Sequence, residues 1–220
     1  MTLIDRRPRF LLLGAGAVGG YLGGRLLEAR AEVTFLVRPT RREQLARDGL
    51  VVKSSSGDIA LSVSTVAHEE LRPGWDFIIL TNKAYDLDDA ISTVRPAVDQ
   101  ATTIVPLLNG LVHVERLKAA FGDDRVTGGT VYISSTLGPN GVIHHLNDFA
   151  RIVHGEFDGR LTDRTRLLQA ALERCRGIEA RQSQNIMGEL WTKFAQLGAL
   201  AASSLLFRGS TGEIASVQGG

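Results

Sequence analysis

The sequence predicts an α/β protein, a Rossmann-type, doubly wound, mostly parallel sheet followed by an all-helical domain. Three observations carry that expectation. Short apolar runs alternate with helical patterns through the first two-thirds of the chain, which calls for parallel strands joined by right-handed helical crossovers. The first run leads directly into Gly14-Ala15-Gly16-Ala17-Val18-Gly19, a G-x-G-x-x-G between strand and helix. From Leu161 onward the character becomes helical, and a late stretch is rich in Ala and Leu.

Arg9–Leu13 is a continuous apolar run, as a strand buried on both faces requires. Ala17–Ala29 carries Val18, Leu22, Leu26 and Ala29 at helical intervals. Val33–Val37 is the expected second strand, and Thr40–Arg47 a polar-faced helix ended near Gly49. Phe77–Leu80, Thr102–Val105 and Val126–Ile133 are further strands, with helices at Leu87–Val94 and Val112–Phe121 between them. Gly138-Pro139-Asn140-Gly141 is a turn signal, and Val142–His145 with Ala150–His154 reads as a hairpin-like pair near the end of the sheet. Helices are expected at Thr162–Arg174 and from about Asn185 to Leu206, and the tail Ala215–Gly220 should contribute little. The division between domains falls around Gly177–Ser183, giving a first domain over residues 1–180 and the start of a helical one over 181–220.

With 220 residues and 44% hydrophobic side chains, the chain can bury the core of one or two domains. Its 25 basic and 24 acidic side chains give a net charge of +1, with no electrostatic footprint for nucleic acid or a membrane surface. No run approaches the ~18 apolar residues of a membrane span. The single cysteine excludes an internal disulfide framework and, with no signal sequence, suits a cytoplasmic protein. Cys175 lacks a triad-like partner pattern and is expected to be a structural thiol. His144 and His145 are neighbours in a strand and so face opposite ways, and no Cys/His cluster has zinc spacing, so no metal is expected.

The glycine turn is the strongest functional signal. Gly14 permits the tight turn, Gly16 lets the backbone approach a pyrophosphate, and Gly19 lets helix and strand pack closely. The N–H groups of Ala15 to Val18 open a helix whose N-terminus attracts anions. The end of the second strand then chooses the cofactor. It carries Arg38, with Arg41 and Arg42 next, where an enzyme using NAD places a carboxylate. Glu32 lies at the other end of that strand, roughly 20 Å from the edge at ~3.3 Å per residue. A guanidinium matches a 2′-phosphate and cannot replace a carboxylate on a neutral diol, so NADP is expected.

Three more residues emerge at informative places. Lys83 follows a buried strand, at the edge where open α/β sheets bind ligands. It is either a cofactor contact or a solvated loop lysine. Asn109 returns to the same edge, where its amide can bridge cofactor and substrate or serve the Asn109-Gly110 turn. Lys193 lies in the long helix four residues after Glu189, so it can be an ion-pair partner, a proton donor, or both.

Four segments resemble the ketopantoate reductase (2-dehydropantoate 2-reductase) family: Gly14–Arg25 with Val33–Arg38, Thr81-Asn82-Lys83-Ala84, Leu107-Leu108-Asn109-Gly110, and Leu190-Trp191-Thr192-Lys193-Phe194. The resemblance implies a Rossmann domain followed by a helical one, and NADPH-dependent reduction of ketopantoate to pantoate in pantothenate biosynthesis. It also implies that Lys83 contacts the cofactor, that Asn109 is a site residue, and that Lys193 is the general acid. The chain departs from the family at Leu197 and Ala201, where members that handle ketopantoate carry asparagines, which points toward another 2-ketoacid. The helical domain is shortened, and neither Glu213 nor Ser216 matches the family's late serine and glutamate. The competing expectation is a non-catalytic NADP-binding or sensing module derived from such a reductase. A bare apolar helix in the shortened domain would favour a homodimer through the helical segment.

Overall fold

The structure is a computed structural model that describes residues 7–217. It opens with β1 (Arg9–Leu13), α1 (Ala17–Glu28), β2 (Glu32–Leu36) and α2 (Pro39–Asp48), followed by β3 (Leu50–Lys53), β4 (Ile59–Leu61) and β5 (Ser64–Val66). Next come β6 (Phe77–Leu80), α3 (Leu87–Val94), β7 (Thr103–Pro106) and α4 (Val112–Phe121). Then follow β8 (Gly128–Tyr132), β9 (Ser135–Leu137), β10 (Ile143–His145), β11 (Arg151–Gly155), α5 (Asp163–Glu173) and β12 (Glu179–Gln182). The helices α6 (Ile186–Phe207) and α7 (Thr211–Ser216) come last. The end of the expected tail, residues 218–220, lies outside the described residues.

The central sheet has the order β5-β2-β1-β6-β7 and is parallel throughout. Alternate side chains leave a strand on opposite faces, and the two faces bury separate cores. Phe10, Leu12, Phe35 and Phe77 pack on one face with Tyr21, Leu22 and Leu26 of α1 and with Leu168 and Leu172 of α5. Leu11, Ile78, Leu80 and Ile104 pack on the other with Leu87 and Val94 of α3 and Leu117 and Phe121 of α4. The sheet is therefore doubly wound, as the sequence predicts. Strand order reverses beside β1, whose neighbours are β2 and β6, so the crevice beyond its C-terminal end is the switch point where such sheets bind ligands.

Two further sheets flank this one. The first, β4-β3-β10-β9, lies on α1, and it comes close because that helix presents glycines. A Cβ on Gly20 would lie 2.2 Å from Ile143 Cδ1. The second, β12-β11-β8, continues from β7 through a parallel bridge between Ile104 and Val126.

These pairings correct one expectation. The segments expected as a hairpin-like pair do not pair with each other: β10 pairs with β9 and β3, whereas β11 pairs with β8 and β12. The Gly138–Gly141 turn does form a hairpin, but it joins β10 to the preceding β9. The five residues between β10 and β11 carry the chain from one sheet to the other. β12 occupies the span where the domain division was expected, and the purely helical part begins at Ile186.

The N-cap of α6 is Asn185, whose side chain accepts from Gly188 N at 3.1 Å. Its first two turns bury Ile186, Leu190 and Lys193, the first two against Val114 of α4 and Val153 of β11. The rest of the helix is bare: Trp191, Phe194, Leu197, Leu200, Leu205, Leu206 and Phe207 are all exposed. Among the described residues no helix is long and apolar enough to cross a membrane.

Candidate cofactor cleft and active site

β1 ends at Leu13, and Gly14 turns the chain with φ +91°, a value that disfavours any residue with a Cβ. Its N–H is held by Leu36 O of β2 at 2.9 Å. Gly16 is the N-cap of α1, and no side chain caps that end and no acid stands in its first turn. A Cβ on either Gly14 or Gly16 would meet nothing within 4 Å, so the face of the turn is open. Gly19 differs: a Cβ there would lie 2.5 Å from Gly14 O and 2.6 Å from Thr81 Oγ1. The three glycines thus do what the motif predicts, one bending the chain, one leaving open space, one permitting contact. An uncapped helix N-terminus behind an open turn, flanked by Ala15, Ala17 and Val18, fits a diphosphate.

The arginine cluster separates into three roles. Arg42 is paired with Glu70 at 3.0 Å. Arg41 turns inward, with Nε on Ala15 O at 3.1 Å, and burial lowers its pKa from the ordinary value. Only Arg38, at the N-cap of α2, stays open, with Asp89 Oδ2 3.9 Å away and both side chains well exposed. Such an exposed pair is a weak link that an incoming phosphate can displace. Glu32 begins β2 and faces Arg9 at 3.8 Å, at the strand end remote from the cleft, as expected.

Lys83 and Asn109 follow β6 and β7, which are neighbours in the sheet, so both stand on the edge that carries the glycine turn. Lys83 N-caps a short 3₁₀ turn over Ala84–Asp86 and its side chain is exposed. Asn109 is exposed, and Gly110 beside it has φ +88°, so the turn role and the site position coexist. Beside Lys83, Asn82 has a buried Oδ1 with no partner among the described residues, a group that the sequence did not single out.

Lys193 reaches the same edge from α6. It is buried, its Nζ donates to Val131 O of β8, and it sits 5.0 Å from the centroid of the Tyr132 ring. Gly129 of β8 lies against Pro106, since a Cβ there would be 2.8 Å from Pro106 O. β8 follows β7 in parallel sense through the Ile104–Val126 bridge, an offset that sets Val131 level with Asn109 and Tyr132 with Gly110. The alternative role for Lys193, an ion pair with Glu189, does not form: Glu189 pairs with Arg181 at 2.7 Å. Burial without a carboxylate partner pushes the Lys193 amine down to about 8.

The other titratable groups stay outside this edge's chemistry. Burial pushes His113 and His154 down to about 4 and Cys175 up to about 12, so the imidazoles are neutral and the thiol is inert near neutral pH. His144 is exposed and His145 buried, on opposite faces of β10 as expected. Among the described residues no group of three or more His, Cys, Asp or Glu could hold a metal.

A glycine turn at the switch point of a parallel sheet, with its helix end free, defines the Rossmann dinucleotide-binding class of α/β proteins. Within that class the chain belongs to the ketopantoate reductase family, PanE/ApbA, whose sequence profile matches residues 10–159. It is 39% identical to an uncharacterized oxidoreductase of Bacillus subtilis, over 96% of this chain and 69% of that protein. Among solved structures, 2-dehydropantoate 2-reductase from Geobacter metallireducens superposes with a TM-score of 0.77 at 33% identity, over 84% of this chain and 61% of that one. The corresponding enzyme from Porphyromonas gingivalis gives 0.83 at 29%, over 96% and 76%. The chain therefore spans about two-thirds of the length of these relatives.

Proposed function

We propose that the protein is an NADPH-dependent reductase of a 2-ketoacid, with 2-dehydropantoate (ketopantoate) as first candidate and pantoate as product, acting in the cytoplasm. The observation that carries this reading is Lys193, a buried amine with no carboxylate partner among the described residues, at the sheet edge that also holds the glycine turn and Asn109. Residues 1–180 form the cofactor-binding part and 181–220 the start of the substrate and dimerisation part. Gly14 to Gly19 hold the diphosphate, Arg38 meets the 2′-phosphate, Lys83 meets a ribose or phosphate oxygen, and Asn109 bridges cofactor and substrate.

A bound nicotinamide would supply the hydride that the keto carbon takes up. Negative charge then develops on the substrate oxygen, which must be held by a cation and protonated. Lys193 does both, donating the proton from Nζ. A pKa of about 8 leaves the amine charged at neutral pH yet a far better donor than an ordinary lysine. Val131 O orients it through its hydrogen bond, and the Tyr132 ring face stabilises the ammonium before substrate arrives. Leu197 and Ala201 lie one and two turns beyond Lys193 on α6 and offer no hydrogen bond to a substrate hydroxyl, so a more apolar 2-ketoacid is expected to compete with ketopantoate.

The test is ketoacid-dependent oxidation of NADPH, followed by nicotinamide absorbance across a panel of 2-ketoacids that includes ketopantoate. Turnover with one or more supports the reading. NADPH binding with no turnover on any would instead favour a non-catalytic cofactor-binding module.

A further inference from the structure

The glycine turn is braced from behind by a side chain outside the set of cofactor contacts. Arg41, in the first turn of α2, donates from Nε to Ala15 O at 3.1 Å, and from Nη1 to Gly141 O at 3.2 Å and Gln44 Oε1 at 2.6 Å. Its Nη2 is buried with no partner, and no carboxylate lies within ion-pair distance of it among the described residues. The guanidinium fits because residue 141 is glycine: a Cβ there would fall 2.6 Å from Arg41 Nη1 and 2.3 Å from Gln44 Nε2. One side chain thus ties the phosphate-binding turn to the β9–β10 turn of the flanking sheet.

The consequence follows from peptide geometry. In a trans peptide the C=O and N–H point in opposite directions. A hydrogen bond on Ala15 O therefore fixes the Ala15–Gly16 peptide with its N–H directed away from Arg41. Glycines on both sides of Ala15 leave this peptide with little intrinsic resistance to rotation, so an external tie is what holds it. The N–H so fixed belongs to the N-cap of α1, on the open side of the turn. The charge of Arg41, with Asp48 acting on it only at longer range, also adds attraction for an anion placed in front.

We propose that Arg41 is a positioning residue for pyrophosphate binding: through Ala15 O it aims the Gly16 N–H, and with it the anion-binding face of the turn. The proposal rests on the turn being the cofactor site. It predicts a pattern different from that of Arg38. The pyrophosphate is common to NADPH and NADH, so Arg41 serves both dinucleotides alike, whereas Arg38 serves the 2′-phosphate alone.

The experiment measures the affinities of NADPH, NADH and 2′-AMP, which has the phosphate on its ribose but no pyrophosphate. The proteins are the wild type, Arg41→Gln, Arg41→Lys and Arg38→Ala, with melting temperature recorded for each. Arg41→Gln is expected to weaken NADPH and NADH by a similar factor, about tenfold, and to leave 2′-AMP unchanged. Arg41→Lys keeps the charge but cannot span three acceptors, so it should lose both dinucleotides by severalfold, and it carries the test if Arg41→Gln does not fold. Wild-type binding of both dinucleotides with unchanged affinities in the Arg41 variants overturns the brace alone. Loss of 2′-AMP in parallel with NADPH also overturns it, because that marks a general collapse of the site. Wild-type protein that binds neither dinucleotide overturns the cofactor reading itself.

Discussion

Gly19→Ala tests the third glycine of the turn. The new methyl group would lie 2.5 Å from Gly14 O and 2.6 Å from Thr81 Oγ1, where ordinary contact begins at 3.4 Å, so the turn must retreat by about 0.9 Å. Neither neighbour yields easily. Gly14 O is backbone at a position with φ +91°, and Thr81 Oγ1 donates to Leu13 O at 3.2 Å. Overpacking of this kind costs ~1–3 kcal/mol. Alanine recovers about 1 kcal/mol of helix propensity, so the net loss should be about 2 kcal/mol if the clash lies at the upper end. Gly198→Ala is the control: it sits inside α6 with nothing within 4 Å and should show the propensity gain without the clash. Urea denaturation of both variants gives the stability difference, and NADPH titration should show at least a tenfold loss for Gly19→Ala alone. Equal stabilisation of the two variants, with NADPH affinity intact, would refute the close-packed turn.

The remaining predictions concern Lys193, Arg38 and α6. Lys193→Ala should lower the reductase rate by ~10²–10⁴ while leaving NADPH affinity nearly intact, and wild-type turnover at saturating substrate should fall as pH rises through about 8. The same burial makes Lys193 a stability cost. From the ordinary 10.5 down to about 8, the folded state sheds its proton before the unfolded state does, so the cost is full below about pH 8 and fades toward 10.5. Lys193→Met should therefore gain up to about 3 kcal/mol at neutral pH and lose the rise in stability across that window, read by urea denaturation at a series of pH values. Arg38→Ala should abolish a preference for NADPH over NADH of roughly ten- to a hundredfold, and an unchanged ratio would count against the 2′-phosphate assignment. Leu205, Leu206 and Phe207 are 77%, 78% and 69% exposed, and leaving these three side chains bare forgoes ~4.5–9 kcal/mol. α6 is thus expected to pair with a second copy, and sedimentation across a concentration series should show a dimer. A monomer that binds no hydrophobic dye would refute it.

Most of the main sheet was legible because its inner strands are buried on both faces and its helices are amphipathic. The strands β1, β2, β6 and β7 and the helices α1 to α4 fall within one or two residues of their expected bounds. The strands β3, β4, β5, β9 and β12 were not, being only three or four residues long and partly exposed. Their pairing depends on tertiary context: β10 finds β3 because glycines let the flanking sheet settle on α1. The site divides the same way. The glycines and Arg38 declare themselves through a local motif. The inward turn of Arg41 depends on Gly141, 100 residues away, and the partner of Lys193 is Val131 O, 62 residues away, rather than the neighbouring Glu189. Local spacing could propose those side chains but not aim them.

In the proposed reaction a hydride passes from a nicotinamide cofactor to the keto carbon of a 2-ketoacid and a proton from Lys193 to its oxygen. Isotope transfer tests it most directly: NADPH deuterated at nicotinamide C4, on the transferred face, is incubated with ketopantoate and with the ketoacid that turns over fastest. Mass spectrometry then locates the label in the product. One deuterium is expected at C2 of the 2-hydroxyacid, formed at least a hundredfold more slowly by Lys193→Ala. A hydroxyacid without deuterium, or labelled product formed equally fast by the variant, would contradict it.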